Sequence, residues 1–275
     1  MSRRSVLSGN IRLVESAFYE QVGAHSYVAT SATIGPWSDD AQHGGPPSAL
    51  AARAIERHEP DPRQRLGRVS IDILRPVPVG KISTRTRTVR PGKRVTLVET
   101  ALEADGQDVL YARGWRIGCS AGKVPEVKEA GRPDSLPGSG DGTAPEIFSR
   151  QDHGYLAMVE WRFKAGDQAQ GRAAWTRPRI PLLPDEETSP MGRTLLVADS
   201  GSGVSAALPV SEFTFVNVDL TVITQRDPVG EWLLLEASTM IGPDGTGLAS
   251  TRLSDLQGSF GCGLQTLIVA PITRR

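Results

Sequence analysis

Residues that most often announce chemistry are scarce in this chain. Among 275 residues there are two cysteines and four histidines. Cys119 and Cys262 stand alone and far apart, so neither a disulfide framework nor a zinc knuckle is implied, and no metal is expected. All four histidines lie before residue 154. The segment Gly203-Val-Ser205-Ala-Ala207 therefore has no histidine after it, and it lacks the second glycine of a nucleophile elbow, which argues against a serine hydrolase. Net charge is also absent, because 31 basic residues balance 31 acidic ones. Such a surface offers no field to nucleic acid or an anionic membrane, and the default partner is a small molecule or a protein. No apolar run approaches the ~20 residues needed to span a bilayer. The basic start Met1 to Asn10 is interrupted before an apolar run of signal length, so a cytoplasmic protein is expected.

Glycine and proline, by contrast, are plentiful, at 29 and 20, and they punctuate the chain. Residues 119 to 149 are rich in Gly, Pro and Ser with few large apolar groups, so they read as a linker. Before it come a strand around His25 to Thr30 and a turn at Gly35 to Asp40. His43-Gly44-Gly45-Pro46-Pro47 then opens an Ala-rich helix reaching Glu56, and strands follow at 67–75, 81–90, 95–104 and 107–117. After it the same order returns, with strands at 156–163 and 171–177, a largely buried helix from Gly192 to Ala207 ended by Pro209, and strands at 212–223, 231–241, 246–253 and 259–269. Gly201-Ser-Gly203-Val-Ser-Ala206 imitates a dinucleotide-binding turn, but no second parallel strand follows it, so the helix reading is preferred.

The return extends to individual residues. Ser70-Ile-Asp72-Ile with Pro78-Val-Gly80 faces Asn217-Val-Asp219-Leu with Pro228-Val-Gly230, and Thr100-Ala-Leu102 faces Thr251-Arg-Leu253. A duplication of this length implies two similar α+β halves, 1–120 and 150–275, joined by a linker at 121–149. Each half should set an antiparallel sheet against one helix.

In this arrangement the chain resembles a double hot dog acyl-CoA thioesterase of type II, within the wider thioesterase-like superfamily. The resemblance rests on His43-Gly-Gly45, Leu74-Arg75-Pro76 and Tyr111-Ala-Arg-Gly-Trp-Arg116 in the first half. In the second half it rests on Ala198-Asp199, Asn217-Val-Asp219-Leu, Glu231-Trp-Leu-Leu234 and Leu264-Gln265-Thr266. It implies a double hot dog with two antiparallel sheets, each wrapped around a long helix. It also implies an acyl-CoA substrate, no cofactor and a place in lipid metabolism; a homo-oligomer is compatible with it. The family's acid falls on Asp199 and its glutamine on Gln265. The family's hydroxyl position falls on Asn217, a departure from the pattern. His43, Gly44 and Gly45 fall at the substrate.

These residue types suit thioester hydrolysis, which needs an oriented water, a base for its proton, and donors where negative charge collects on oxygen. Asp199 would be the base, Asn217 and Gln265 would hold the water, and backbone N–H groups at the helix start near Gly44 and Gly45 would receive the charge. One rival is an acyl-thioester binding protein that kept the fold without the chemistry. The other is a hot dog hydratase or dehydratase, which is less favoured because the second half contains no histidine beyond His153. Asp219 matches Asp72 in the repeat, so a role in the sheet is expected for it.

Overall fold

The computed structural model describes residues 15–120, 122–127, 135–136, 138, 141–150, 153–165 and 171–272. In chain order the first half supplies β1 (Tyr19–Gly23), β2 (Ser26–Ala29), a 3-10 turn (Ser31–Thr33), α1 (Gly45–Arg57), β3 (Gln64–Ile73), β4 (Lys81–Arg90), β5 (Val95–Ala104) and β6 (Gln107–Gly118). A second 3-10 turn (Glu146–Arg150) spans the end of the expected linker. The second half then supplies α2 (Gly154–Ala157), β7 (Val159–Phe163), β8 (Arg172–Pro178), α3 (Pro190–Ala198), α4 (Gly201–Val204), β9 (Phe213–Asn217), β10 (Asp219–Thr224), β11 (Leu233–Ile241), β12 (Thr246–Asp255) and β13 (Gly258–Pro271). Parts of the expected linker, residues 121, 128–134, 137 and 139–140, fall outside the described residues.

Two separate sheets were expected, and the structure corrects this. The described strands form one continuous sheet in the order β1-β2-β4-β5-β6-β3-β10-β13-β12-β11-β8-β7, with β9 also paired to β13. Each pairing is antiparallel, and the seam is β3 against β10, from Asp219 opposite Asp72 to Ile223 opposite Arg68. The duplicated Ser-Ile-Asp and Asn-Val-Asp segments meet at that seam. Two open sheets would each leave an edge of unpaired N–H and C=O groups there, and pairing them removes both edges. Asp219 is held in the sheet, since its Oδ1 accepts the Thr266 backbone N–H at 2.5 Å.

The strand expected at 212–223 is also two strands. β9 pairs with the end of β13, and β10 pairs with its middle on one side and with β3 on the other. Asn217 is therefore the last residue of a strand that stops where the chain changes neighbours. Leu156 and Ala157, expected to begin a strand, end the short α2 instead.

α1 begins with Pro46 and Pro47, whose fixed φ suits a first helical turn and whose missing N–H groups need no partner there. Ala49, Leu50, Ala51 and Ala52 are fully buried. The small side chains let α1 lie between β3–β6 on one side and α3 on the other. The helices approach closely at Gly45, where a side chain would collide with the Leu196 carbonyl. At the other end Ser189, the N-cap of α3, donates its hydroxyl to Glu56 Oε2 at 2.7 Å. The two helices thus run antiparallel, with the start of α1 against the end of α3.

The helix expected over 192–207 is broken. α3 ends at Ala198 and α4 restarts at Gly201, with Asp199 and Ser200 between them in near-helical conformation. Gly201 is required at the restart, because Thr251 Oγ1 of β12 occupies the space a Cβ would need.

Candidate active site

The break between α3 and α4 leaves backbone groups without helical partners, and Gln265 of β13 meets two of them. Its Nε2 donates to the Asp199 carbonyl at 2.9 Å, and its Oε1 accepts the Ser202 N–H at 3.1 Å. Acceptor and donor on opposite sides fix which end of the amide is nitrogen. Gln265 is 2% exposed, so it acts as a clamp on the break, with Nε2 also 3.5 Å from Asp199 Oδ1. Sequence reasoning assigned it to a water. The structure shows its oxygen already committed to the backbone.

The Asp199 side chain leaves the break towards three other parts of the chain. Asn217 Nδ2 donates to Oδ1 at 2.8 Å and spends its second hydrogen on the Asp219 carbonyl at 3.1 Å. With both hydrogens used, Asn217 Oδ1 remains as an acceptor. On the other side His43 Nδ1 stands 3.3 Å from Asp199 Oδ2. Gly44 is pressed directly against the carboxylate, and an added Cβ would stand 2.6 Å from Oδ2. All six residues singled out from the sequence, His43, Gly44, Gly45, Asp199, Asn217 and Gln265, are thus within one cluster.

His43 is built in firmly. Its backbone N–H donates to the Thr33 carbonyl at 2.8 Å, and its ring stacks on Tyr155 with centroids 3.7 Å apart and planes 8° from parallel. Burial lowers its pKa, and the neighbouring Asp199 carboxylate opposes that effect. A neutral ring fits the contacts. Nδ1 accepts the Gly45 N–H at 3.0 Å, which places the proton on Nε2, 3.4 Å from Ser200 Oγ. Tyr155 closes the chain by donating to the Leu196 carbonyl at 2.7 Å, with Ser200 Oγ 3.0 Å from the same hydroxyl. Tyr155 and Ser200 escaped sequence reasoning. Ser200 is recoverable as the neighbour of the acid, whereas Tyr155 sits between the expected linker and the expected strand at 156–163 and carries no local signal.

Since His43 takes the Gly45 N–H, that donor is not free for a ligand. Among the described residues nothing accepts a hydrogen bond from Gly44 N–H, and the two residues after Gly45 are prolines. Gly44, Asp199 and Asn217 all open on a cavity of about 610 Å³. Its walls are mainly apolar, with Trp37, Leu74, Phe148, Leu156 and Phe215 among them. A few polar groups gathered at one place in an apolar cleft is the pattern of a small-molecule site. Among the described residues no three His, Cys, Asp or Glu side chains gather as a metal would require. No described helix is long and apolar enough to cross a membrane.

The sequence pattern of the acyl-CoA thioesterase N-terminal domain matches residues 33–117, and that of the C-terminal domain matches residues 128–269. The chain belongs to the acyl-CoA thioesterase family. This thioesterase hydrolyses acyl thioesters, and its fold agrees with the family. A thioesterase II candidate from Thermobifida fusca YX shares 18% identity over 93% of this chain and 96% of its own, with a TM-score of 0.72. A hot dog protein of unknown function from Alicyclobacillus acidocaldarius shares 16% over 93% and 96%, with a TM-score of 0.68. The acyl-CoA thioesterase II TesB2 of Mycobacterium marinum shares 15% over 93% and 96%, with a TM-score of 0.66. At these identities the likeness establishes the hot dog fold of the thioesterase. No curated protein matches the chain.

Proposed function

We propose that this thioesterase cleaves acyl-CoA by direct attack of a water held between the Asp199 carboxylate and Asn217 Oδ1. The water oxygen bonds to the thioester carbonyl carbon while Asp199 takes its proton. The resulting oxyanion lies against Gly44 N–H at the start of α1, where the helix dipole favours negative charge. Collapse breaks the C–S bond, its electron pair leaves on sulfur, and the proton passes from Asp199 to the thiolate. The products are the free acid and CoA.

The observation that carries this reading is the packing of Gly44 against the Asp199 carboxylate, inside a cavity whose other walls are mainly apolar. A base and an unspent backbone donor are adjacent where an acyl chain would end. Asn217, where the resemblance implies a hydroxyl residue, still supplies what the water needs: Nδ2 holds the carboxylate and Oδ1 accepts a water proton. Gln265 then positions Asp199 by clamping the helix break.

In this reading the chain is two half-units, residues 1–120 and 150–275 with a connection at 121–149. Each lays its part of the common sheet against one helix, and the reactive groups are shared between α1 of the first half and the α3–α4 break of the second. Asp199→Asn keeps the shape and removes the base, so release of free thiol from acyl-CoA should slow by ~10²–10⁴-fold with KM little changed. Hydrolysis at the native rate by this variant would refute the assignment.

A further inference from the structure

The two ends of the cavity differ. Around one end Trp37, Leu74 and Val218 are 40%, 47% and 37% exposed, whereas Phe148 and Leu156 are 3% and 5% exposed. The exposed end is a mouth and the other is closed. A bulky, charged CoA must remain at the mouth, so the acyl chain points towards Phe148.

Phe148 belongs to the 3-10 turn at the end of the connecting segment, outside both halves of the sheet. Two aromatic rings brace it from behind, Trp161 at 4.7 Å and 66° and Phe163 at 4.9 Å and 74°. From the opposite side it faces Gly203 of α4. A Cβ built there would meet Phe148 Cε2 at 3.8 Å and Ile147 Cγ2 at 3.9 Å, ordinary contact distances. Gly203 follows Asp199 by four residues of near-helical chain, so the two lie on one face, one turn apart. An acyl group held at Asp199 and extended along that face runs up against Gly203 and the Phe148 ring beside it.

We propose that Phe148, opposed by Gly203, is the end wall of the acyl cavity and sets the longest chain the enzyme accepts. The connecting segment is then a specificity element. This rests on Asp199 marking the reacting end of the site.

The two residues permit changes of opposite sign. Phe148→Ala opens the wall, and Gly203→Ala brings a methyl group against it. Each methylene gained or lost in an apolar site changes binding about fourfold. The ratio of kcat/KM for hexadecanoyl-CoA to that for hexanoyl-CoA should therefore rise ~10-fold or more in Phe148→Ala and fall ~3–10-fold in Gly203→Ala. Gly203 has ordinary helical geometry and room for a Cβ, and Ala favours a helix over Gly. This variant therefore keeps the test valid if Phe148→Ala fails to fold.

A chain-length profile unchanged in Gly203→Ala, or moving in the same direction in both variants, would overturn the proposal. Failure of the underlying site reading looks different: Asp199→Asn would then turn over every chain length at the native rate, whatever the profile does.

Discussion

Substituting Gly44 by Ala isolates one distance at the site. Gly44 adopts φ −64° and ψ −18°, a conformation open to any L-residue, so the variant tests space and nothing else. The added Cβ would stand 2.6 Å from Asp199 Oδ2 and 2.8 Å from both Cγ and Oδ1, against an ordinary contact of 3.4 Å. The carboxylate must retreat by about 0.8 Å to relieve the overlap. It has little freedom to do so, since Asn217 holds Oδ1 and Gln265 holds the Asp199 carbonyl. A misplacement of ~1 Å at a reacting group costs up to ~10²-fold. The expected result is a kcat lowered ~10–10²-fold with KM much less affected, because the apolar walls are untouched. Steric overpacking of this kind costs ~1–3 kcal/mol, which lowers the melting temperature by several degrees and leaves the protein folded at 25 °C. Thiol release at saturating acyl-CoA, measured beside a thermal melt, checks both numbers. A folded Gly44→Ala enzyme with native kcat would show that the position of Asp199 does not limit the reaction.

Other residues give further tests. Asn217→Ala should lower kcat ~10-fold or more by freeing Asp199 Oδ1 and removing the water's acceptor, while Asn217→Thr should recover most of the loss; a Thr variant as slow as Ala would mean that hydrogen bonding is not what Asn217 supplies. Gln265→Ala strands the Asp199 carbonyl and the Ser202 N–H at ~1–3 kcal/mol each, so a melt should drop by roughly 4–10 °C with a smaller kcat loss than in Asp199→Asn, and an unchanged melt would sink the clamp. Glu56 is raised to about 7, chiefly by burial, with Asp227 and Glu186 adding to the effect and the Ser189 hydroxyl and Arg57 opposing it. Since the folded form holds this proton more tightly than the unfolded chain, the stability it brings is complete below about 4.5 and is lost as pH rises through about 7. Glu56→Gln should therefore gain on the native enzyme by ~1–2 kcal/mol between pH 5 and 8, a part-buried site being discounted; parallel melting curves across that range would refute it.

Much of this molecule could be read before its coordinates. The repeat of Ser70-Ile-Asp72 in Asn217-Val-Asp219, the Pro46–Pro47 helix start and the punctuating glycines belong to local chemistry, in which spacing and residue type act over a few positions. Of the six candidate site residues, Asp199 and Asn217 stood out locally, as an acid in an apolar segment and an amide in a β-rich strand, whereas the roles given to them and to Gln265 came from the resemblance to the thioesterase family. Pairing across the seam was not reachable, because β3 and β10 are separated by nearly 150 residues and either edge could have been covered in other ways. The break at Asp199 was likewise decided from outside, by Thr251 and Gln265 on strands that follow the helix in sequence. Those contacts also tie Gln265 to the backbone at the break. His43 gave no sign of spending Gly45 N–H and leaving Gly44 N–H free. Phe148 read as part of a linker, because its composition is poor in apolar groups. Only the folded chain brings that one ring against Gly203 and closes the cavity. Composition and periodicity choose elements over short distances, whereas the use of each hydrogen-bonding group depends on partners that only tertiary packing brings within reach.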